Sequence, residues 1–190
     1  MEHAELVLAI ITGIGLSAAC GFRIFVPLLF LNLASIYGFI NLSPGFEWIG
    51  GYFATIAFAI ATSLEVSAYY IPWLDNIMDT IGAPVSVIAG ILVTASVATN
   101  ISPSFKWFVA IIAGGGAAAI LQGSTSLIRA KSSIFTGGSA NAIVSTIELA
   151  ASILISLLAI ILPIIGLILV IILVVYLLLK PLRIMFRRMR

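Results

Sequence analysis

Apolar stretches of about 20 residues follow one another from end to end of this chain, and that recurrence constrains its fold more than any motif does. A helix of about that length crosses a hydrocarbon layer roughly 30 Å thick. Inside lipid every backbone amide needs a partner within the protein, which leaves helices and closed barrels as spanning structures. The runs here are too long and too uniform for barrel strands. With 62% hydrophobic and 8% charged residues among 190, and a mean hydropathy of +1.27, the chain reads as all-α. The expected architecture is a polytopic transmembrane helical bundle with membrane lipids as its partners.

The first apolar stretch, residues 6–40, is interrupted at Cys20-Gly21-Phe22-Arg23. As one helix it would be roughly 50 Å long. Two shorter helices broken near Gly21 are therefore expected, with Pro27 in the first turn of the second. Further spans are predicted at residues 48–70, 84–99 and 107–128, joined by connections at 71–80 and 129–141. The last apolar run, ending at Leu179, is about two bilayers long, so a hairpin turning at residues 163–166 is predicted. Membrane helices number seven, or six with one re-entrant pair in the broken first segment. Residues 1–179 form a single transmembrane domain and residues 180–190 a basic tail.

Orientation follows from the basic residues. Lys180, Arg183, Arg187, Arg188 and Arg190 crowd the C-terminus. Such a tail reads as a cytoplasmic anchor on anionic headgroups rather than a nucleic-acid arm, so no nucleic-acid partner is expected. The same rule places Arg129, Lys131 and the segment carrying Asp75 and Asp79 on the cytoplasmic side. Cys20 is the one cysteine, which rules out an intrachain disulfide. Leu16-Ser-Ala-Ala-Cys20 loosely matches a lipoprotein cleavage site, but Glu2 and Glu5 precede it without a Lys or Arg, the wrong charge for a signal peptide.

Two internal echoes suggest a duplication, a common construction in transporters. Asn41-Leu-Ser-Pro-Gly-Phe-Glu-Trp48 and Asn100-Ile-Ser-Pro-Ser-Phe-Lys-Trp107 share one pattern, and each opens a span. Ser43 and Ser102 are expected helix N-caps, Pro44 and Pro103 suit the first helical position, and each Trp sits at headgroup level. Two spans separate the copies, which puts both on the outer face. The weaker echo sets Ala9-Ile-Ile-Thr-Gly-Ile-Gly against Ala110-Ile-Ile-Ala-Gly-Gly-Gly, and coincidence between two apolar helices explains it nearly as well.

Four carboxylates, Glu65, Asp75, Asp79 and Glu148, stand in or beside these runs. A carboxylate at bilayer depth costs roughly 2.5 kcal/mol or more, which marks it for function. Glu65 and Tyr69 are four apart, as are Asp75 and Asp79, so each pair shares a helical face. Glu65, Asp75 and Asp79 are expected to converge at the cytoplasmic end, with Glu148 approaching from the other half. Oxygen ligands of this kind suit magnesium, calcium or manganese, although the spacing matches no specific metal motif. The plainer alternative pairs these acids with Arg23, Arg129 and Lys131 as bundle-locking ion pairs. Four acids against three cations argue mildly for more, since surplus buried negative charge needs a proton or a bound cation. Gln122, Ser124 and Thr125 could line a path outward, Gly114-Gly115-Gly116 reads as close helix packing or a flexible break, and Thr136-Gly137-Gly138 with Asn141 reads as a tight turn into a helix. With His3 the one histidine, Ser/His/Asp catalysis is effectively excluded, and no Cys/His metal cluster or dinucleotide fingerprint is present.

As a set, several segments give the chain a family resemblance: Cys20-Gly-Phe-Arg-Ile-Phe-Val-Pro-Leu-Leu29, Leu42-Ser-Pro-Gly-Phe-Glu-Trp48, Leu64-Glu65 with Ala68-Tyr-Tyr-Ile-Pro-Trp73, Asp75 with Asp79-Thr80, Ala113-Gly-Gly-Gly116 with Gln122-Gly123, and Thr136-Gly-Gly138 with Asn141. Over nearly its whole length the sequence resembles bacterial integral-membrane proteins of the domain-of-unknown-function family DUF4126. Ser132-Ser-Ile-Phe135 stands where a Ser/Thr/Ala-rich run is expected. The resemblance implies a multi-helix protein of the bacterial inner membrane and no established activity. The residues themselves favour a small channel or transporter for a cation or proton, with Glu65, Asp75 and Asp79 holding the ion and Glu148, Arg23 and Arg129 setting the charge state. The alternative is a metal-dependent intramembrane enzyme or lipid-handling protein at headgroup depth, with Arg23 or Arg129 clamping phosphate. At this size several copies are expected to associate as a homo-oligomer.

Overall fold

The computed structural model describes residues 2–136 and 140–188. Helix α1 (Glu2–Cys20) ends where expected, and α2 (Phe25–Ile36) follows after the four-residue break with Pro27 in its first turn. Then come a 3-10 turn (Glu47–Gly50), α3 (Tyr52–Ala68) and α4 (Pro72–Val97). Helix α5 (Pro103–Val109) runs through a π-helical segment (Ala110–Gly115) into α6 (Gly116–Thr136). The chain closes with α7 (Asn141–Ile161) and α8 (Pro163–Arg188), and the predicted hairpin is present but turns at Leu162, just ahead of residues 163–166, because Pro163 already opens α8. Counting α5 to α6 as one rod, the described residues form seven rods and no strand. Among the described residues three stretches are long and apolar enough to cross a bilayer, residues 77–97, 103–136 and 141–161; the other apolar helices there are shorter. This is an all-α membrane protein.

Two connections differ from expectation. Residues 71–80 are not a loop: Pro72 opens α4 at a position where a missing N–H costs nothing, and the helix runs on through Pro84. Helix α6 likewise continues through residues 129–136. Polarity signalled a surface segment in both places, but helices that reach past the apolar layer are polar too. Gly137 and Gly138 lie outside the described residues.

Helix α1 is the central element, packed against α4, α6, α7 and α8. Small residues let the backbones close on one another, the usual device where lipid gives no hydrophobic drive to helix association. A Cβ on Gly13 would stand 2.8 Å from Val97 Cγ2, and one on Gly15 2.7 Å from Ala159 Cβ. Gly114 presses on the carbonyl of Gly90. Of the two readings of the glycine triplet, close packing describes Gly114 and Gly115, while Gly116 faces open space. The Ser17 hydroxyl seals the α1–α4 seam with Gly90 O at 2.5 Å and Thr94 Oγ1 at 2.7 Å.

Helix α2 turns back beside α1. Its first amides meet α3 near that helix's C-terminus, whereas Asn32 reaches the carbonyls of Ile49 and Gly51 at 2.5 and 3.2 Å. At the opposite end from the break, the two longer echoes touch each other. The Lys106 ammonium donates to the Ser43 hydroxyl, and the Phe46 and Trp107 rings lie 6.3 Å apart. Ser102 caps α5 as expected, accepting from Phe105 N. Ser43 does not cap a helix. It is buried, its amide donates to Ser96 O at 2.6 Å, and the chain turns at Gly45 (φ 89°) before the 3-10 segment. Exposed Tyr37, Phe39, Trp48, Tyr52, Phe53 and Trp107 gather around this end, where aromatic side chains meet headgroups.

Candidate functional site

Around the α1–α2 break, five elements deliver charged or aromatic side chains to one buried centre. The α1–α2 break supplies Arg23, the turn after α3 supplies Tyr69, α4 supplies Asp79, α6 supplies Arg129 and α7 supplies Glu148. Arg23 and Arg129 are 1% and 2% exposed, among the most deeply buried side chains of the protein. Their guanidinium carbons lie 3.9 and 4.1 Å from the centroid of the Tyr69 ring. Away from water such a cation–ring contact is worth up to about 2 kcal/mol.

Glu148 holds the centre together. Its carboxylate accepts from Arg129 Nε at 3.0 Å and from Arg129 Nη2, and Arg23 Nη2 stands 3.6 Å from the same Oε2. Asp79 Oδ1 lies 3.7 Å from Arg129 Nε. The charges thus alternate along a chain, Asp79 to Arg129 to Glu148 to Arg23, and each step joins different elements. Arg23 Nη2 also donates to Ser145 O at 2.9 Å, while its Nε and Nη1 are buried without a hydrogen-bond partner.

Glu65 does something the sequence did not announce. Its two carboxylate oxygens accept from the amides of Ile24 at 2.7 Å and Phe25 at 3.0 Å, the opening amides of α2. No side chain of α2's own flank caps this helix. The carboxylate of α3 therefore caps a helix distant in sequence, where unpaired N–H groups and the helix dipole favour negative charge. The break that places Arg23 and the acid that seals the break form one unit.

The remaining expected residues stand apart from this unit. Gln122 is buried on α6 at its edge; a Cβ on Gly82 would lie 3.4 Å from both Gln122 Nε2 and the Tyr69 hydroxyl. Asn141 joins the start of α7 to α6 by donating to Ser133 Oγ at 2.9 Å. Asp75 belongs to α4, and its side chain lies outside the described residues. Among the described residues no three His, Cys, Asp or Glu side chains converge as a metal would require.

A polar seam escaped the sequence reading. Ser145, Glu148, Ser152 and Ser156 fall on one face of α7 at helical spacing, and all are buried. Ser145 Oγ donates to Tyr69 O at 3.3 Å, Ser152 Oγ to Ala19 O at 3.2 Å, and Ser156 Oγ is buried without a partner. The seam runs from the charged centre along α7 toward that helix's C-terminus. The three- and four-residue spacing around Glu148 was its signal.

Fold and centre together define a multi-helix membrane protein with an ion-paired core. The family description Domain of unknown function (DUF4126) matches residues 10–181, and the chain belongs to that family. No curated protein and no solved structure matches it.

Proposed function

We propose that this protein is a small proton-linked channel or transporter whose working centre is the Arg23–Glu148–Arg129–Tyr69 cluster. One observation carries the reading: a buried carboxylate shared by two buried arginines lies on the same α7 face as the buried hydroxyls of Ser145, Ser152 and Ser156. A bundle locked only for stability would fare as well with apolar residues of similar volume, because burying charge costs several kcal/mol per ion before pairing repays it. Glu148 is the proton-exchanging group in this reading, and Arg129, which keeps its charge throughout, carries no proton itself but holds Glu148 and Asp79 on either side of it. The cytoplasmic assignment rests on Arg129, Lys131 and the basic C-terminus. The protein reconstituted in liposomes with an internal pH dye should acidify the lumen under an inward proton gradient. Glu148→Gln should abolish that flux, and Ser152→Val should reduce it. Flux equal to that of empty liposomes would sink the reading.

A further inference from the structure

Arg23 has more to give than the protein takes. Of its donor nitrogens only Nη2 is engaged, by Ser145 O and at longer range by Glu148. Nε and Nη1 are buried with no acceptor. An ionised donor left bare in a protein interior is among the more expensive features a fold can carry. The charge around it is arranged to be uncovered. Glu65 is spent on the amides of Ile24 and Phe25, and Asp79 lies against Arg129. Glu148 is thus the one carboxylate within ion-pair reach of Arg23 among the described residues, and it is held more tightly by Arg129.

We infer that Arg23, with Arg129 beside it on the Tyr69 ring, is the binding site for a small monovalent oxyanion that enters when Glu148 is neutral. This rests on the reading of the cluster as an ion-handling centre and names its second ion. The physical case is competition. An ionised Glu148 and an incoming anion seek the same two guanidinium groups, so they exclude one another. A proton on Glu148 leaves Arg23 with no ionised carboxylate within ion-pair distance among the described residues, and an oxyanion then satisfies the donors that the protein leaves bare. Proton and anion therefore bind together, each favouring the other by the same factor. The titratable and charged groups set around Glu148 are Arg23, Glu65, Tyr69, Asp79 and Arg129, with Tyr176 the described titratable side chain of α8. Carboxylate, bicarbonate and singly charged phosphate share the required chemistry, and the last arises either free in solution or on a lipid headgroup.

The test uses the full chain in a maltoside detergent, which carries no phosphate, with binding heat and thermal shift as readouts. The probes are sodium formate, inorganic phosphate and a short-chain phosphatidylglycerol. Glu148→Gln, which mimics the protonated acid, should bind the preferred probe at least tenfold more tightly than wild type, equivalent to about 1.4 kcal/mol. Arg23→Lys should weaken that binding and Arg23→Gln should remove it, in the Glu148→Gln background. Wild type alone should bind more tightly as pH falls, a readout needing no variant. Preference for phosphatidylglycerol would identify a headgroup site, and preference for formate or phosphate a soluble anion. No binding by wild type at low pH or by folded Glu148→Gln would overturn the proposal and leave water on the Arg23 donors. Anion binding without proton flux in liposomes would sink the transport reading alone, and flux without binding would sink this one alone.

Discussion

Glu65 shows how much one side chain settles here. Two amides of α2 have no capping partner other than its carboxylate. Hydrogen bonds to an ionised group contribute about 1.5–3 kcal/mol each, roughly twice the neutral value. Glu65→Gln keeps one carbonyl oxygen and loses the charge that the helix N-terminus favours, so it should lower stability by about 1–3 kcal/mol. Unfolding in mixed micelles with rising denaturing detergent measures this. A variant as stable as wild type would mean that the cap contributes nothing. The role was illegible in sequence, because a cap from another helix leaves no local spacing to read. What could be read was that an acid sits at bilayer depth.

At the scale of elements, packing glycines and free glycines are neighbours, which makes a clean comparison. A Cβ on Gly114 would fall 2.8 Å from the carbonyl oxygen of Gly90, whereas one on Gly116 meets nothing within 4 Å. Gly114→Ala should push the π-helical segment off α4 and cost about 1–3 kcal/mol, as overpacking does. Gly116→Ala should be neutral or stabilising, since alanine restricts the unfolded chain and suits a helix. Thermal melts of the two variants side by side decide the matter, and equal effects would refute the packing account. The break at residues 21–24 and the turn at Leu162 were legible, since an apolar run longer than a bilayer has to fold back. The extents of α4 and α6 were not, because composition locates the lipid boundary and helices do not stop there.

Across the whole molecule, Glu65, Asp79 and Glu148 lie around Arg23 and Arg129, and the arginines decide their arrangement. Summing formal charges suggested surplus carboxylate. In space, the Glu65 oxygens are taken up by amides and those of Glu148 by Arg129, which leaves donors over on Arg23. Charge counts in sequence omit the backbone as a hydrogen-bond partner, so they gave no sign of the bare donors on Arg23. The placement of Arg23 also bears on biogenesis. It sits on a hairpin synthesised before α3 to α8, yet its Ser145 partner lies 122 residues downstream and its counter-ion Glu148 further still. An early hairpin carrying an unpaired arginine is a poor resident of lipid. The hairpin should therefore settle into the bilayer only after α7 has been made. Chains stalled before residue 140 should leave a cysteine in the α1–α2 break (Phe22→Cys, in a Cys20→Ala background) open to a water-soluble maleimide, and chains stalled after α7 should protect it. Equal labelling at both lengths would show that the first helices insert unaided, with the last ones only decorating a structure already in place.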